Sequence, residues 1–314
     1  MTDTANRPTT AILGAGVIGA SWAALFLAAG HRVRVYDPGP QAQATVEAML
    51  GSAWPVLTRL GLATGAAPAP DFAASAAEAV GGAQFVQESV PERLEMKHAL
   101  YGEIEDALAP GAVVASSASG LMLSEMQGGW RDPAPFVLGH PFNPPHLVPL
   151  VEVMGNERTD PATVARAEAV YAAAGKVTIR VQREVPGHVA NRLQAALWRE
   201  AIHLVATGVA SVEDVDRAVW AGPGLRWAAM GPTMLFHLGA GAGGLGAFCE
   251  RYGPSFARWW SDLGDPRLTP EVSQALIEGV KAEAAGADQA ALSAKRDALV
   301  EAMLAATAPL RKPD

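Results

Sequence analysis

Two groups of residues in this 314-residue chain have the types and spacing to do chemistry. The first is Gly14-Ala15-Gly16-Val17-Ile18-Gly19, which follows a predicted strand and opens a predicted helix. In that setting the first glycine permits a tight turn and the second lets a pyrophosphate approach the backbone. The third lets helix pack closely on strand, while the helix N-terminus stabilises the phosphate charge. Asp37 ends the second predicted strand 18 residues after Gly19. Its carboxylate should accept hydrogen bonds from the hydroxyls of an adenosine ribose and repel a 2′-phosphate. Pro38, Gly39 and Pro40 supply no arginine to bind such a phosphate, so the pattern points to NAD as cofactor in preference to NADP.

The second group is His140, in Gly139-His140-Pro141-Phe142-Asn143-Pro144, with Glu152 twelve residues on. Moving a hydride from a secondary alcohol to NAD requires a base for the hydroxyl proton. A neutral imidazole suits that role because the same group must return the proton in reverse. A carboxylate on the other ring nitrogen would fix the tautomer and stabilise the imidazolium that forms. Spacing alone leaves His140 and Glu152 as a plausible pair or as unconnected structure. His31, His98, His146, His188, His203 and His237 have no comparable partner pattern and read as structural or solvent-facing, with His146 and His188 as candidates to lie near the site. No cluster of His, Cys, Asp and Glu has metal-ligand spacing, so no metal is expected.

Taken with two further motifs, the pattern becomes specific. The Gly139–Pro144 segment with Glu152 resembles the signature of the 3-hydroxyacyl-CoA dehydrogenase family. So do Ser119 in Ser116-Ser117-Ala118-Ser119-Gly120 and Asn191 in Pro186-Gly187-His188-Val189-Ala190-Asn191-Arg192. Four separated motifs agree in order and spacing over nearly the whole chain. The resemblance implies that His140 is the catalytic base, that Glu152 orients it, and that Ser119 and Asn191 hydrogen-bond the substrate oxygen and help align His140. It also implies that Glu92 and Lys97 lie by the nicotinamide ribose, and that Asn143 and Ser119 approach the nicotinamide end. An ordinary solvated helix start is the other reading of Glu92 and Lys97. A homodimer built through the C-terminal half follows from the same resemblance, with the substrate cleft between two domains.

The chain departs from the acyl-CoA members where coenzyme A would sit. Those enzymes commonly carry Ser and Lys on the helices after the second strand, whereas Gln41 to Thr58 contains no Lys or Arg, and Arg59 is the only base before Arg93. A ligand with several phosphate charges would find little to pair with. The segment Gly224-Leu225-Arg226-Trp227-Ala228-Ala229-Met230-Gly231-Pro232 instead resembles two branches that act on free acids, the L-gulonate 3-dehydrogenase (lambda-crystallin) and L-carnitine dehydrogenase branches. A free carboxylate in a closed site needs a cation, and Arg226 could bind it in bidentate fashion; an exposed arginine in a helix-helix loop is the plainer reading. Gln87–Glu95 and Ala196–Ala201 look carnitine-like, and Asn143-Pro144-Pro145 looks gulonate-like. Eight Trp residues, Trp198, Trp227, Trp259 and Trp260 among them, could face a quaternary ammonium or fill helix contacts and a dimer interface. The expected substrate is a small L-3-hydroxy acid, gulonate-, carnitine- or 3-hydroxybutyrate-like. A short-chain acyl-CoA substrate and a crystallin-like structural or NAD-sensing role stand as alternatives.

These residues must be positioned by the elements around them. Ala11–Leu13, Arg32–Tyr36, Gln84–Gln87, Ala112–Ala115, Phe136–Leu138, Val148–Val153 and Val177–Val181 read as strands, with helices at Val17–Ala29, Gln41–Leu60, Arg93–Leu108 and Pro161–Ala173. Gly61–Pro70 reads as a loop. From His188 onward the pattern is helical: His188–Ala206, Val212–Trp220, Met230–Leu238, Gly246–Trp260, Pro270–Ala285 and Gln289–Ala306, with a cap at Ser211 and Asp214. The expected fold is α/β, an N-terminal Rossmann-type doubly wound, mainly parallel sheet over residues 1–183 and an all-helical substrate and dimerisation domain over 184–314. Half the chain is apolar and 18% is charged, and the net charge of −8 argues against a general nucleic-acid binder. The uncharged run Thr9–Gly30 is broken by the three glycines and preceded by Asp3 and Arg7, so it reads neither as a membrane span nor as a signal peptide. With Cys249 as the single cysteine, a cytoplasmic location is expected.

Overall fold

The computed structural model describes residues 7–310. It divides into two compact units, one running to Ala190 and also taking in Leu299–Ala305, the other comprising Asn191–Ala298 and the chain from Ala306.

The first unit is built on eight strands: β1 (Thr9–Leu13), β2 (Arg32–Tyr36), β3 (Asp71–Phe72), β4 (Phe85–Glu88), β5 (Val113–Ser116), β6 (Phe136–Pro141), β7 (Leu150–Met154) and β8 (Val177–Arg180). Their order in the sheet is β3-β2-β1-β4-β5-β6-β7-β8. Every pair is parallel except β6–β7. Successive strand residues point to opposite faces, and here both faces are buried. Ile12, Phe85, Val113 and Val137 join one core cluster; Leu13, Val86, Val114 and Leu138 join the other. Burial on both sides explains why these strands read as continuous apolar runs. On the first face Trp22, Phe26, Phe85 and Tyr171 form an aromatic cluster with ring centroids 5.3–5.6 Å apart. Tyr101, Trp130 and Phe136 pack ring against ring on the second, 4.9–5.3 Å apart.

The second unit is helical, with segments Ala190–Ala206, Val212–Ala221, Pro223–Ala229, Pro232–Gly239, Gly244–Asp262, Pro270–Ala284 and Gln289–Thr307. The first begins at the unit boundary and the last extends through Leu299–Ala305 of the first unit. Ser211 caps its helix as expected, its hydroxyl accepting from the Asp214 amide at 3.1 Å. Ile202, Val212 and Val215 are the buried apolar side chains of this unit among the described residues, while Trp220, Trp259 and Trp260 stay more than half exposed.

Four short elements lie outside the sequence expectation: strand β3 and the helices Ala76–Val80, Leu123–Met126 and Pro223–Ala229. Each is too short to establish a period. The helix expected from His188 starts at Ala190 instead, because His188 takes a left-handed backbone (φ 51°) that a helix cannot contain. β6 and β7 are antiparallel neighbours joined by a loop, the one break in the mainly parallel sheet.

Gly139 lies under Tyr171. A Cβ there would stand 2.0 Å from the Tyr171 hydroxyl and 3.0 Å from the Ala115 side chain, and that hydroxyl is already committed to Gln87 Oε1 at 2.6 Å. Gly139→Ala is therefore expected to destabilise the protein by about 1–3 kcal/mol, read from denaturant unfolding. An unchanged midpoint would show that the tyrosine can move aside freely.

Candidate active site

The strand order reverses direction between β1 and β4, and the C-terminal ends of parallel strands at such a switch point form the ligand crevice of this architecture. The glycine turn sits there. Gly14 has φ 91°, and a Cβ on it would approach the Ser89 backbone to 2.7 Å; a Cβ on Gly19 would meet the Gly14 carbonyl at 1.8 Å. Both positions therefore demand glycine. Gly16 caps the helix Val17–Ala28, with no side chain bonded to the cap and no acidic residue in the first turn. A Cβ on Gly16 would touch nothing within 4 Å, so the amide edge is open to a phosphate. Asp37 braces this turn, its two oxygens accepting from the Ala15 and Gly39 amides at 2.7 Å each. Each oxygen retains a further lone pair for a ribose hydroxyl. The donors and the carboxylate fit NAD.

At the end of β6, His140 faces Glu152 directly across the antiparallel ladder. That register explains the twelve-residue spacing. His140 Nδ1 and Glu152 Oε2 are 2.8 Å apart, with the imidazole 5% and the carboxylate residue 0% exposed. The other carboxylate oxygen accepts from the Val189 and Ala190 amides at 2.9 and 2.8 Å. Burial works to raise the Glu152 carboxyl, but the bonds from His140, Ala190 and Val189 outweigh it and hold the group below its usual range. The anion is thus preserved without solvent, and the pairing occupies Nδ1 of His140 while Nε2 is not engaged by Glu152. The Phe142 ring packs edge-on against the imidazole at 5.2 Å.

Ser119 and Glu92 meet. The Ser119 amide donates to Glu92, the Gly120 amide does so at 2.6 Å and the Ser119 hydroxyl at 3.1 Å. Burial pushes the Glu92 carboxyl up, yet the Gly120 and Ser119 bonds leave it lowered overall. Glu92 is therefore a brace for the Ser119 turn. Lys97, expected beside the nicotinamide ribose, has no exposed ammonium to offer. It is 1% exposed and donates to Glu88 Oε1 at 2.6 Å. Glu88 also accepts from Tyr101, Ser116 and the Val90 amide, so Lys97 supports the ends of β4 and β5 from within. Asn143 is exposed in the loop after β6. Asn191 lies in the first turn of Ala190–Ala206, partly buried, and Arg226 is exposed on Pro223–Ala229; both belong to the second unit. Among the described residues no carboxylate pairs with Arg226.

Two residues carry more of the site than their sequence signal indicated. Lys176, a lone base between helix and strand, is buried and donates to the Pro145 and Val148 carbonyls at 2.6 Å each. Burial lowers its pKa to about 7. It anchors the loop that joins the two strands carrying His140 and Glu152. His188, a candidate in the sequence to lie near the site but with no role given to it, has its ring centroid 5.4 Å from that of His140. Among the described residues no group of three or more His, Cys, Asp or Glu is gathered as a metal site, and no helix is long and apolar enough to cross a membrane.

Comparison with known proteins identifies the family. Residues 9–185 match the 3-hydroxyacyl-CoA dehydrogenase NAD binding domain, and residues 187–275 match the C-terminal domain of the same enzymes. The chain belongs to the 3-hydroxyacyl-CoA dehydrogenase family. It is an NAD-dependent oxidoreductase. Among its relatives, an L-carnitine dehydrogenase of Streptomyces coelicolor is 47% identical over 99% of this chain and 98% of its own length. One from Pseudomonas aeruginosa is 43% identical over 95% and 93%. Among solved structures, 5-formyl-3-hydroxy-2-methylpyridine 4-carboxylic acid 5-dehydrogenase, an NAD⁺-dependent dismutase, superposes with TM-score 0.82 at 29% identity, covering 98% of this chain and 100% of that one. (S)-3-Hydroxybutyryl-CoA dehydrogenase from Ralstonia eutropha gives 0.63 at 25% identity, covering 80% and 89%.

Glu152→Gln keeps the shape of the pair but removes its charge, and kcat/KM is expected to fall about 100-fold or more. The same variant tests linkage. A carboxyl held below its ordinary value of 4.5 contributes stability that is fully present above that pH and is lost as pH falls through the folded value. Acid unfolding of Glu152→Gln, followed by circular dichroism, should therefore show a weaker pH dependence below pH 4.5. An unaltered acid limb would mean that the carboxylate is not held in its charged form.

Proposed function

We propose that this enzyme oxidises the 3-hydroxyl of a small L-3-hydroxy acid with a free carboxylate to the 3-keto acid, with L-carnitine the favoured substrate. The carrying observation is the buried His140–Glu152 pair in a chain whose relatives named L-carnitine dehydrogenases align over nearly its full length. Bound NAD supplies the hydride acceptor. His140 takes the hydroxyl proton on Nε2, and Glu152 holds its Nδ1–H and stabilises the imidazolium that results. Ser119 and Asn191 hydrogen-bond the reacting oxygen, and Gly14 to Gly19 with Asp37 hold the dinucleotide. Glu92 and Lys97 act at the nicotinamide end indirectly, through the Ser119 turn and through Glu88. Arg226 binds the carboxylate. Residues 1–183 carry the NAD site and 184–314 the substrate and dimer contacts.

A free acid is preferred to a coenzyme A thioester on one further ground. Arg59, the only base between Gln41 and Ala63, donates to both oxygens of Glu301 at 2.5 and 2.8 Å, so it is engaged elsewhere. For a homodimer the helical unit offers large apolar side chains left exposed, Trp220, Leu225, Trp259 and Trp260 among them. The cytoplasm suits Cys249, which is free and exposed.

NADH formation with L-carnitine, L-gulonate, 3-hydroxybutyrate and 3-hydroxybutyryl-CoA discriminates among these readings. Carnitine is expected to lead by about tenfold or more in kcat/KM, and a lead by the thioester would overturn the proposal. For Arg226→Met the KM for the free acid should rise about tenfold, the scale of a lost charge-assisted hydrogen bond. An unchanged KM would remove the arginine from the site. Light scattering should give twice the chain mass.

A further inference from the structure

Beside the proposed base lies a second imidazole that the mechanism above does not use. His188 is 1% exposed, yet neither of its ring nitrogens makes a hydrogen bond in the protein. The Ala118 backbone approaches the ring closely enough to raise its pKa as a weak hydrogen-bond partner would, but the contact does not reach hydrogen-bond geometry. A buried polar group left unpaired is costly and calls for an explanation. The cost here is compounded by the backbone, because His188 holds φ 51°, directly after Gly187 at φ 76°. For a side chain with a Cβ that conformation is uncommon and costs energy. Two successive left-handed residues turn the chain just before Val189 and Ala190, whose amides bind Glu152. The same turn brings the ring against His140.

The groups facing His188 define what it can do. His140 stands on β6, Glu152 on β7, and Glu92 precedes the helix Leu94–Ile104. Burial, reinforced by the neighbouring His140, lowers the His188 pKa, and Glu152, the Ala118 backbone and Glu92 offset this only in part. A neutral imidazole presents one N–H donor and one acceptor. It can accompany a charged His140 without like-charge repulsion, and it can donate to an anionic oxygen.

We propose that His188 is a further substrate-binding residue, its N–H donating to a carboxylate oxygen of the 3-hydroxy acid while His140 engages the hydroxyl. The inference rests on the free-acid reading given above. A 3-hydroxy acid carries its hydroxyl and its carboxylate two carbons apart, and two adjacent imidazoles are suited to hold both.

The test uses the full-length protein with His188→Phe, which keeps a ring and removes both nitrogens, and His188→Asn, which tolerates the left-handed backbone and retains a donor. For His188→Phe the KM for L-carnitine should rise about tenfold or more, with NAD affinity within twofold of wild type, and His188→Asn should recover part of the loss. The competitive inhibition constant of 4-trimethylammoniobutanoate, which keeps the carboxylate and lacks the 3-hydroxyl, should weaken by the same factor. If His188→Phe does not fold, as judged by thermal melting, the Asn variant carries the comparison alone, with an intermediate rise in KM expected and a KM within twofold of wild type overturning the inference. A wild-type KM in His188→Phe, or a loss that falls equally on NAD in both variants, also overturns it. A raised KM with an unchanged inhibition constant would place the ring on the hydroxyl and overturn the carboxylate assignment. If the wild-type enzyme turns over no free 3-hydroxy acid, the free-acid reading itself falls and takes this inference with it; the two failures are thus told apart.

Discussion

Glu152 is a carboxylate with no solvent contact, and an unpaired charge at such a depth would be expelled or neutralised. It survives as an anion because three donors converge on it: His140 from the neighbouring strand, and the amides of Val189 and Ala190 from the turn after β8. The antiparallel step β6–β7 interrupts an otherwise parallel sheet, and it sets His140 and Glu152 opposite each other. The left-handed turn at Gly187 and His188 delivers the two amides. Weakening any one of these would leave a buried charge short of partners, so the loop anchored by Lys176 and the turn at His188 are both tied to the state of one side chain.

The dinucleotide crevice is governed by a different constraint, close approach. Gly14 and Gly19 permit backbone segments to pack at distances that any Cβ would forbid. The helix that follows is almost wholly apolar and buried through Gly19–Leu27, so its position is set by packing on the sheet. Its first-turn amides are left unsatisfied by the protein and available to phosphate. Asp37 then braces the turn from the end of β2, its carboxylate accepting from the Ala15 and Gly39 amides.

The sequence carried this part of the molecule plainly, for physical reasons. Doubly buried strands read as apolar runs, and the glycine spacing admits one mechanical explanation. The pairing of His140 with Glu152 was legible as chemistry, but its basis was not, since an antiparallel step cannot be told from a crossover by residue types alone. The burial of Lys97 was not legible, because its partner Glu88 reads as an ordinary strand-end residue. Only the fold brings Glu88, Tyr101, Ser116 and Lys97 into one buried cluster. His188 resembled the start of a helix, and nothing in its type announces a positive φ.

The buried pair Lys97–Glu88 also bears on how the site is kept rigid. Glu88 ends β4 and Ser116 ends β5, the two strands whose tips lead into the Glu92 and Ser119 segments. A surface ion pair would contribute little. This one is enclosed, and hydrogen bonds from Tyr101, Ser116 and the Val90 amide accompany it, so its value lies in geometry more than in net stability. It fixes the two strand tips relative to one another before Glu92 reaches across to the Ser119 and Gly120 amides. Two carboxylates on the same chain segment thereby act in series, Glu88 holding the strands and Glu92 the turn, and the Ser119 hydroxyl inherits a position that neither could hold alone.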